Sequence, residues 1–122
     1  MRGKLFIFGL SFILPTLVET AQAETVYFCS ETHSIEIENH KLTQYKPQKF
    51  KFKVDEKNLE FGKGGFFDGS VSPITFWAGD TYFTASTKRH IIRFSDGSFV
   101  FANALSIDGG KGSLITAKCD KF

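Results

Sequence analysis

Lys49-Phe50-Lys51-Phe52-Lys53-Val54 is the stretch that decides the fold. Successive side chains of an extended strand point to opposite faces, so Phe50, Phe52 and Val54 share one face and the three lysines the other. One face is core and the other is wet. A helix would scatter the same residues around its circumference.

Outward from this strand the apolar period stays at two. Glu24 to Lys46, the longest stretch free of Gly and Pro in the chain from Glu24 onward, alternates wherever it shows a pattern. Val26–Cys29 and Ser34–Glu38 read as two strands, the second placing Ile35 and Ile37 inward and Ser34, Glu36 and Glu38 outward. Leu59–Phe61 and Ile74–Trp77 follow. Two hairpins can be drawn residue by residue, because a two-residue turn fixes the register of its flanks. With Gly79-Asp80 at its tip, the first sets Trp77 opposite Tyr82, Phe76 opposite Phe83 and Ile74 opposite Ala85. With Asp96-Gly97 at its tip, the second pairs Phe94 with Phe99 and Ile92 with Phe101. A turn at Asp108-Gly109-Gly110-Lys111-Gly112 leads into a last strand, Ser113–Cys119. The expectation is an all-β domain, a small antiparallel barrel or sandwich of about eight strands. Closure into a barrel would remove the exposed edges that such apolar first and last strands create.

The amino terminus reads as a leader. Arg2 and Lys4 precede an apolar run from Leu5 to Val18 that is short and broken by Pro15, and Ala21-Gln22-Ala23 has the small-x-small spacing of a cleavage site. Residues 1–23 are thus expected to be a signal peptide and 24–122 a single exported domain, periplasmic or extracellular, with no membrane span once the leader is gone. Tyr27 and Phe28 are too large for the positions before a lipidated cysteine. Export also sets the reading of the two cysteines, because thiols in oxidising compartments pair. A Cys29–Cys119 bridge would close nearly the whole domain into one loop, and no C-x-x-C spacing suggests redox work.

Without the leader the chain carries 13 basic against 12 acidic side chains, a balance that implies no obligatory polyanionic partner. The twelve phenylalanines that remain, with Trp77, point to an aromatic core. Catalytic patterns are absent. Asp68, Asp80, Asp96 and Asp108 each adjoin a glycine, where Asp serves turn geometry. No serine lies in a G-x-S-x-G elbow, and Gly62-Lys63-Gly64-Gly65 lacks the ending and the helix of a phosphate loop. Glu36, Glu38 and His40 fall on alternate positions, with His33 nearby, but as a solvent face rather than a ligand set, so neither metal nor cofactor is expected.

Two surface candidates remain. Phe66 and Phe67 with Trp77 and Tyr82 would form an aromatic binding surface for a protein or glycan. Lys49, Lys51 and Lys53, with Lys41, Lys46, Lys88 and Arg89 behind them, would form an anion patch, with nucleic acid disfavoured by export. Phe50 and Phe52 face away from the lysines, so that row is not itself a stacking surface.

An early strand ending in Tyr27-Phe28-Cys29, a string of antiparallel strands and a cysteine in the terminal strand together resemble the layout of the small periplasmic inhibitors of c-type lysozyme. That resemblance implies a disulfide-stapled β-barrel and an inhibitor as one functional expectation. The family's serine-glycine-x-x-tyrosine loop and its tryptophan-x-lysine-glycine segment have no counterpart, Trp77-Ala78-Gly79-Asp80 being no match, so no inhibitory residue carries over. The leading expectation is an exported binding module of unidentified ligand and oligomeric state. The alternatives are an enzyme inhibitor presenting the Gly62 to Ser72 region as a rigid loop, and an enzyme whose site would collect His33, His90 or Glu60.

Overall fold

The computed structural model describes residues 23–106 and 110–122; residues 1–22, on which the expected signal peptide falls, and part of the turn expected at Asp108 to Gly112 lie outside them. Nine strands follow in chain order: β1 (Thr25–Glu38), β2 (Lys41–Gln44), β3 (Lys49–Val54), β4 (Asn58–Phe61), β5 (Val71–Trp77), β6 (Tyr82–Ser86), β7 (His90–Ser95), β8 (Ser98–Ser106) and β9 (Lys111–Lys121). Every pairing is antiparallel. β1 joins both β3 and β9, which closes eight strands into a barrel and leaves β2 as an extra strand on the second half of β1. Closure satisfies the edges of the terminal strands, as their apolar character requires. Among the described residues no helix is long and apolar enough to cross a membrane.

The barrel is solid. Tyr27, Phe52, Phe61, Phe67, Phe83, Phe94, Phe99 and Phe101 are buried in one cluster with Val54, Leu59, Ile92 and Ile115, and half-buried Phe50, Ile74 and Trp77 pack against it. As the alternation in β3 demands, Phe52 and Val54 go inside and Lys49, Lys51 and Lys53 outside. Cys29 and Cys119 are direct cross-strand partners and form the disulfide. The Asp96-Gly97 hairpin has the expected register, Phe94↔Phe99 and Ile92↔Phe101. Its two turn residues both have positive φ, 46° and 86°, the twist that suits a two-residue hairpin.

Three expectations need correction. The strands drawn as Val26–Cys29 and Ser34–Glu38 are one strand, β1, with a bulge between Glu31 and His33. The extra residue, Thr32, shifts the alternation by one. Ile35 and Ile37 therefore stand on the outside of the sheet, cross-strand from Leu114 and Gly112, and Glu36 turns toward the barrel mouth. His40 is not in the strand at all. It forms, with Asn39, a positive-φ turn (52° and 66°) that reverses the chain into β2.

The first hairpin keeps Ile74 opposite Ala85 but sets Trp77 against Phe83 and Phe76 against Thr84. Its loop holds three residues, Gly79 to Thr81, closed by the Ala78 N–H on the Tyr82 carbonyl, and a bulge at Thr75 absorbs the extra one. Trp77 and Tyr82 consequently face opposite ways. Trp77 stacks on Phe83 inside, while Tyr82 meets Phe76 edge-on outside.

Candidate functional site

The four residues of the expected aromatic surface do not form one surface, although Phe66 and Phe67 touch edge-on with ring centroids 5.0 Å apart. Phe67 is 7% exposed and belongs to the core, whereas its neighbour Phe66 is 55% exposed. The segment after β4 folds back as a plug. Phe67 lies flat on Phe61 and edge-on to Phe101, and the Gly69 N–H donates to the Gly62 carbonyl to hold the segment shut. At Gly64 and Gly65 φ is 91° and 75°, and the Asp68 carboxylate accepts the Gly64 N–H at 2.7 Å. The Gly62 to Ser72 region is thus pinned to the barrel through Phe67, while Lys63 to Phe66 and Asp68 to Val71 remain exposed.

Phe66 closes one side of a cleft of about 450 Å³ at the barrel mouth, beneath the overhang made by β1, β2 and the start of β9. Its polar groups largely satisfy one another. The Tyr45 hydroxyl donates to Glu36 at 2.7 Å, which holds the phenol above its ordinary pKa, and Lys111 lies 3.7 Å from the same carboxylate. Glu31 accepts the Gln48 N–H at 3.0 Å. These bonds brace the overhang.

His90, one of the residues an enzyme reading would need, points into the same end of the barrel. Its Nε2 is hydrogen-bonded to the Ser72 hydroxyl and its Nδ1 lies 3.3 Å from Thr87 Oγ1. Burial holds its pKa below the ordinary histidine value. A neutral imidazole beside a serine has the chemistry of a nucleophile and its base. Here, however, Ser72 is 2% exposed, and the imidazole is bonded to hydroxyls rather than to an orienting carboxylate. His33 is on the outside, against Thr116, and Glu60 is on the outer face beside Lys53. These three residues share no pocket. Among the described residues no group of three or more His, Cys, Asp or Glu is placed to hold a metal ion.

The outer wall carries two distinct surfaces, and the bulge in β1 divides them. On the carboxyl-terminal side of the bulge an apolar band crosses five strands. Leu42 pairs with Ile37, Ile35 with Leu114, Leu114 with Ala102, and Ala102 with Ile91. Ile37, Leu42, Leu114, Ile91 and Val100 are all exposed, and Leu42 reaches 63%. Gln44, His33 and Thr116 border it.

On the amino-terminal side the same wall is basic and aromatic. Lys51 stands directly across from Phe28, Lys49 across from Ser30, and Ser30 across from Lys118 on its other flank. Phe28 packs edge-on against Phe122, with ring centroids 5.3 Å apart. Neither phenylalanine was read as part of a binding surface in the sequence. Phe28 was legible, because its parity in the strand is opposite to that of Cys29, which the disulfide places inside.

A closed eight-stranded antiparallel barrel with a filled aromatic interior and a structured exterior is the class of protein these features define. Against protein-family models, curated proteins and solved structures the chain finds no match.

Proposed function

We propose that the chain is an exported binding module whose first 23 residues are removed as a leader and whose barrel engages a protein partner through the apolar band across β2, β1, β9, β8 and β7. The observation that carries this reading is the band itself: five exposed aliphatic side chains on adjoining strands. Contiguous apolar surface of this kind marks interaction sites in folded proteins, because water contact with it costs roughly 25 cal/mol per Å². A filled interior supports recognition from outside, since aromatic side chains occupy the middle of the barrel. The disulfide agrees with an oxidising compartment.

The reading takes the protein as non-catalytic. An inhibitor is a special case of it, in which the partner is an enzyme and the occupied surface blocks its active site. The test is affinity capture from envelope and secreted fractions with the oxidised protein and with a Leu114→Lys/Ile91→Lys variant whose near-ultraviolet circular dichroism shows it folded. A partner held in stoichiometric amount by the parent and lost by the variant is the expected result. Equal retention by both would overturn the assignment of the band. Intact mass of the exported protein checks the leader, with Glu24 expected as the first residue.

A further inference from the structure

We propose that the outer face formed by the first half of β1, β3 and the end of β9 is a binding site for an anionic polysaccharide, with Phe28 and Phe122 as the platform for sugar rings and Lys49, Lys51, Lys63 and Lys118 as the cations. The site is separate from the apolar band and stands or falls without it.

Two adjoining grooves of about 520 and 580 Å³ run along this face and share Phe28, Lys51, Gly62 and Lys63. Gly62 makes room for the arrangement. A Cβ there would come within 2.9 Å of both Cγ and Cε of Lys51, so a side chain at this position would displace the lysine from its place between the two grooves. Phe122 is 88% exposed, an aromatic ring at the surface held chiefly by its contact with Phe28 and by its N–H, which donates to the Val26 carbonyl.

Charge selects the ligand. Of the three lysines in β3, Lys53 is engaged, 3.8 Å from Glu24 and 3.7 Å from Glu60. Among the described residues Lys49, Lys51, Lys63 and Lys118 have no carboxylate within 4.0 Å. The net charge of the whole chain, +2, therefore conceals a local excess of positive charge on this wall. The unpaired cations are spread along the face, with Lys49 and Lys51 about 7 Å apart as alternate residues of one strand, instead of converging on a point. A small anion is held by converging donors, whereas a chain with regularly repeated charges is matched by a row. Exposed phenyl rings add a surface for the apolar faces of sugars, as aromatic linings do in ligand sites generally. The carboxylates of Asp120, Glu60 and Glu24 share this face, and a flat anionic membrane would be pressed against all three. A polymer lying in the grooves meets one carboxylate in each, Asp120 in the first and Glu60 in the second, against three lysines in each.

The test is titration of the oxidised protein, at physiological salt, with polygalacturonate and with dextran sulfate, using uncharged dextran as the blank. Binding to at least one anionic polymer that weakens steeply with added salt is expected. Lys49→Gln/Lys51→Gln/Lys63→Gln should weaken it at least about tenfold. Phe28→Ala/Phe122→Ala, which leaves the charge unchanged, should weaken it severalfold. Lys88→Gln/Arg89→Gln, on the far side of the barrel, should leave it intact. Equal loss in that last pair, indifference to the phenylalanine substitutions, or tighter binding to anionic vesicles or a single-stranded oligonucleotide than to either polysaccharide would each overturn the site.

Discussion

Phe61 and Phe67 lie face to face, ring centroids 4.0 Å apart and planes 7° from parallel, so the segment after β4 is anchored as part of the core. Phe67→Ala should cost about 3–5 kcal/mol through the lost burial and the cavity left behind. Phe66→Ala, at the adjacent but exposed position, should cost less than about 1 kcal/mol. Urea unfolding of the two variants checks this. Similar losses in both would mean that Phe66 also seals the barrel.

Cys29 and Cys119 are separated by 90 residues and are already aligned by the β1–β9 ladder. Opening the bond, by reduction or by Cys29→Ser/Cys119→Ser, should destabilise the domain by up to about 4–5 kcal/mol, the value of a loop this long in the chain-entropy account. The cysteines face the interior, so reduction should be slow until the barrel opens. Thiol labelling in the native state checks the second point, and unfolding midpoints with and without reductant check the first.

Asp80 ties the β5–β6 loop to the start of β1 and the end of β9. Its carboxylate lies 3.0 Å from Lys121 Nζ and accepts the Thr25 hydroxyl at 2.9 Å, while its carbonyl accepts the Tyr27 hydroxyl. Lys121 first, then Thr25, hold its pKa below the ordinary carboxylate value. A carboxyl lowered in the folded state stabilises fully above the unfolded pKa of about 3.9 and loses that contribution as pH falls through the folded value. Asp80→Asn should therefore cost about 1 kcal/mol near neutrality, a modest figure because the pair is part-exposed, and the gap should close as pH falls below about 3.9 and on through the lower folded value. Parallel pH series of thermal unfolding check it.

His90 gives a second pH dependence in a different window. Burial lowers its pKa, so the unfolded chain takes up the proton first and stability falls as pH drops below about 6.5 and on through the lower folded value. His90→Asn should flatten the stability profile between about pH 7 and pH 5. A profile with the same slope in the variant would assign the proton uptake elsewhere. Ser72→Ala should cost about 1–3 kcal/mol by leaving the imidazole nitrogen without its partner.

Much of the barrel was legible in the chain. The alternation in β3, the Asp96-Gly97 turn and the cysteine pair are local or compartmental signals that nothing in the tertiary structure opposes. What failed was parity. An extra residue in a strand or a turn changes which face every later side chain occupies, and composition gives no sign of it. Thr32 moved Ile35 and Ile37 outside in this way, and Thr81 separated Trp77 from Tyr82. The Asn39-His40 turn did carry a signal, since Asn tolerates positive φ, but the run of alternating polar residues around it masked the reversal. The candidate surfaces suffered most, because each depends on which residues share a face. Lys51 was placed outward from the start and the outward parity of Phe28 was legible too, yet that the two stand side by side becomes visible only when β1 is known to lie beside β3.

The bulge in β1 gives one residue an unusual reach. Thr32 lies in neither outer surface, but it is the reason a single strand presents Phe28 and Ser30 to one and Ile35 and Ile37 to the other. Deleting Thr32 would set His33 directly after Glu31, so the strand would alternate without a break and Ile35 and Ile37 would keep the outward face they have now. Were Thr32 instead paired within the ladder, every later residue of β1 would change face, Ile35 and Ile37 would turn to the mouth, and Glu36 and Glu38 would stand in the middle of the apolar band.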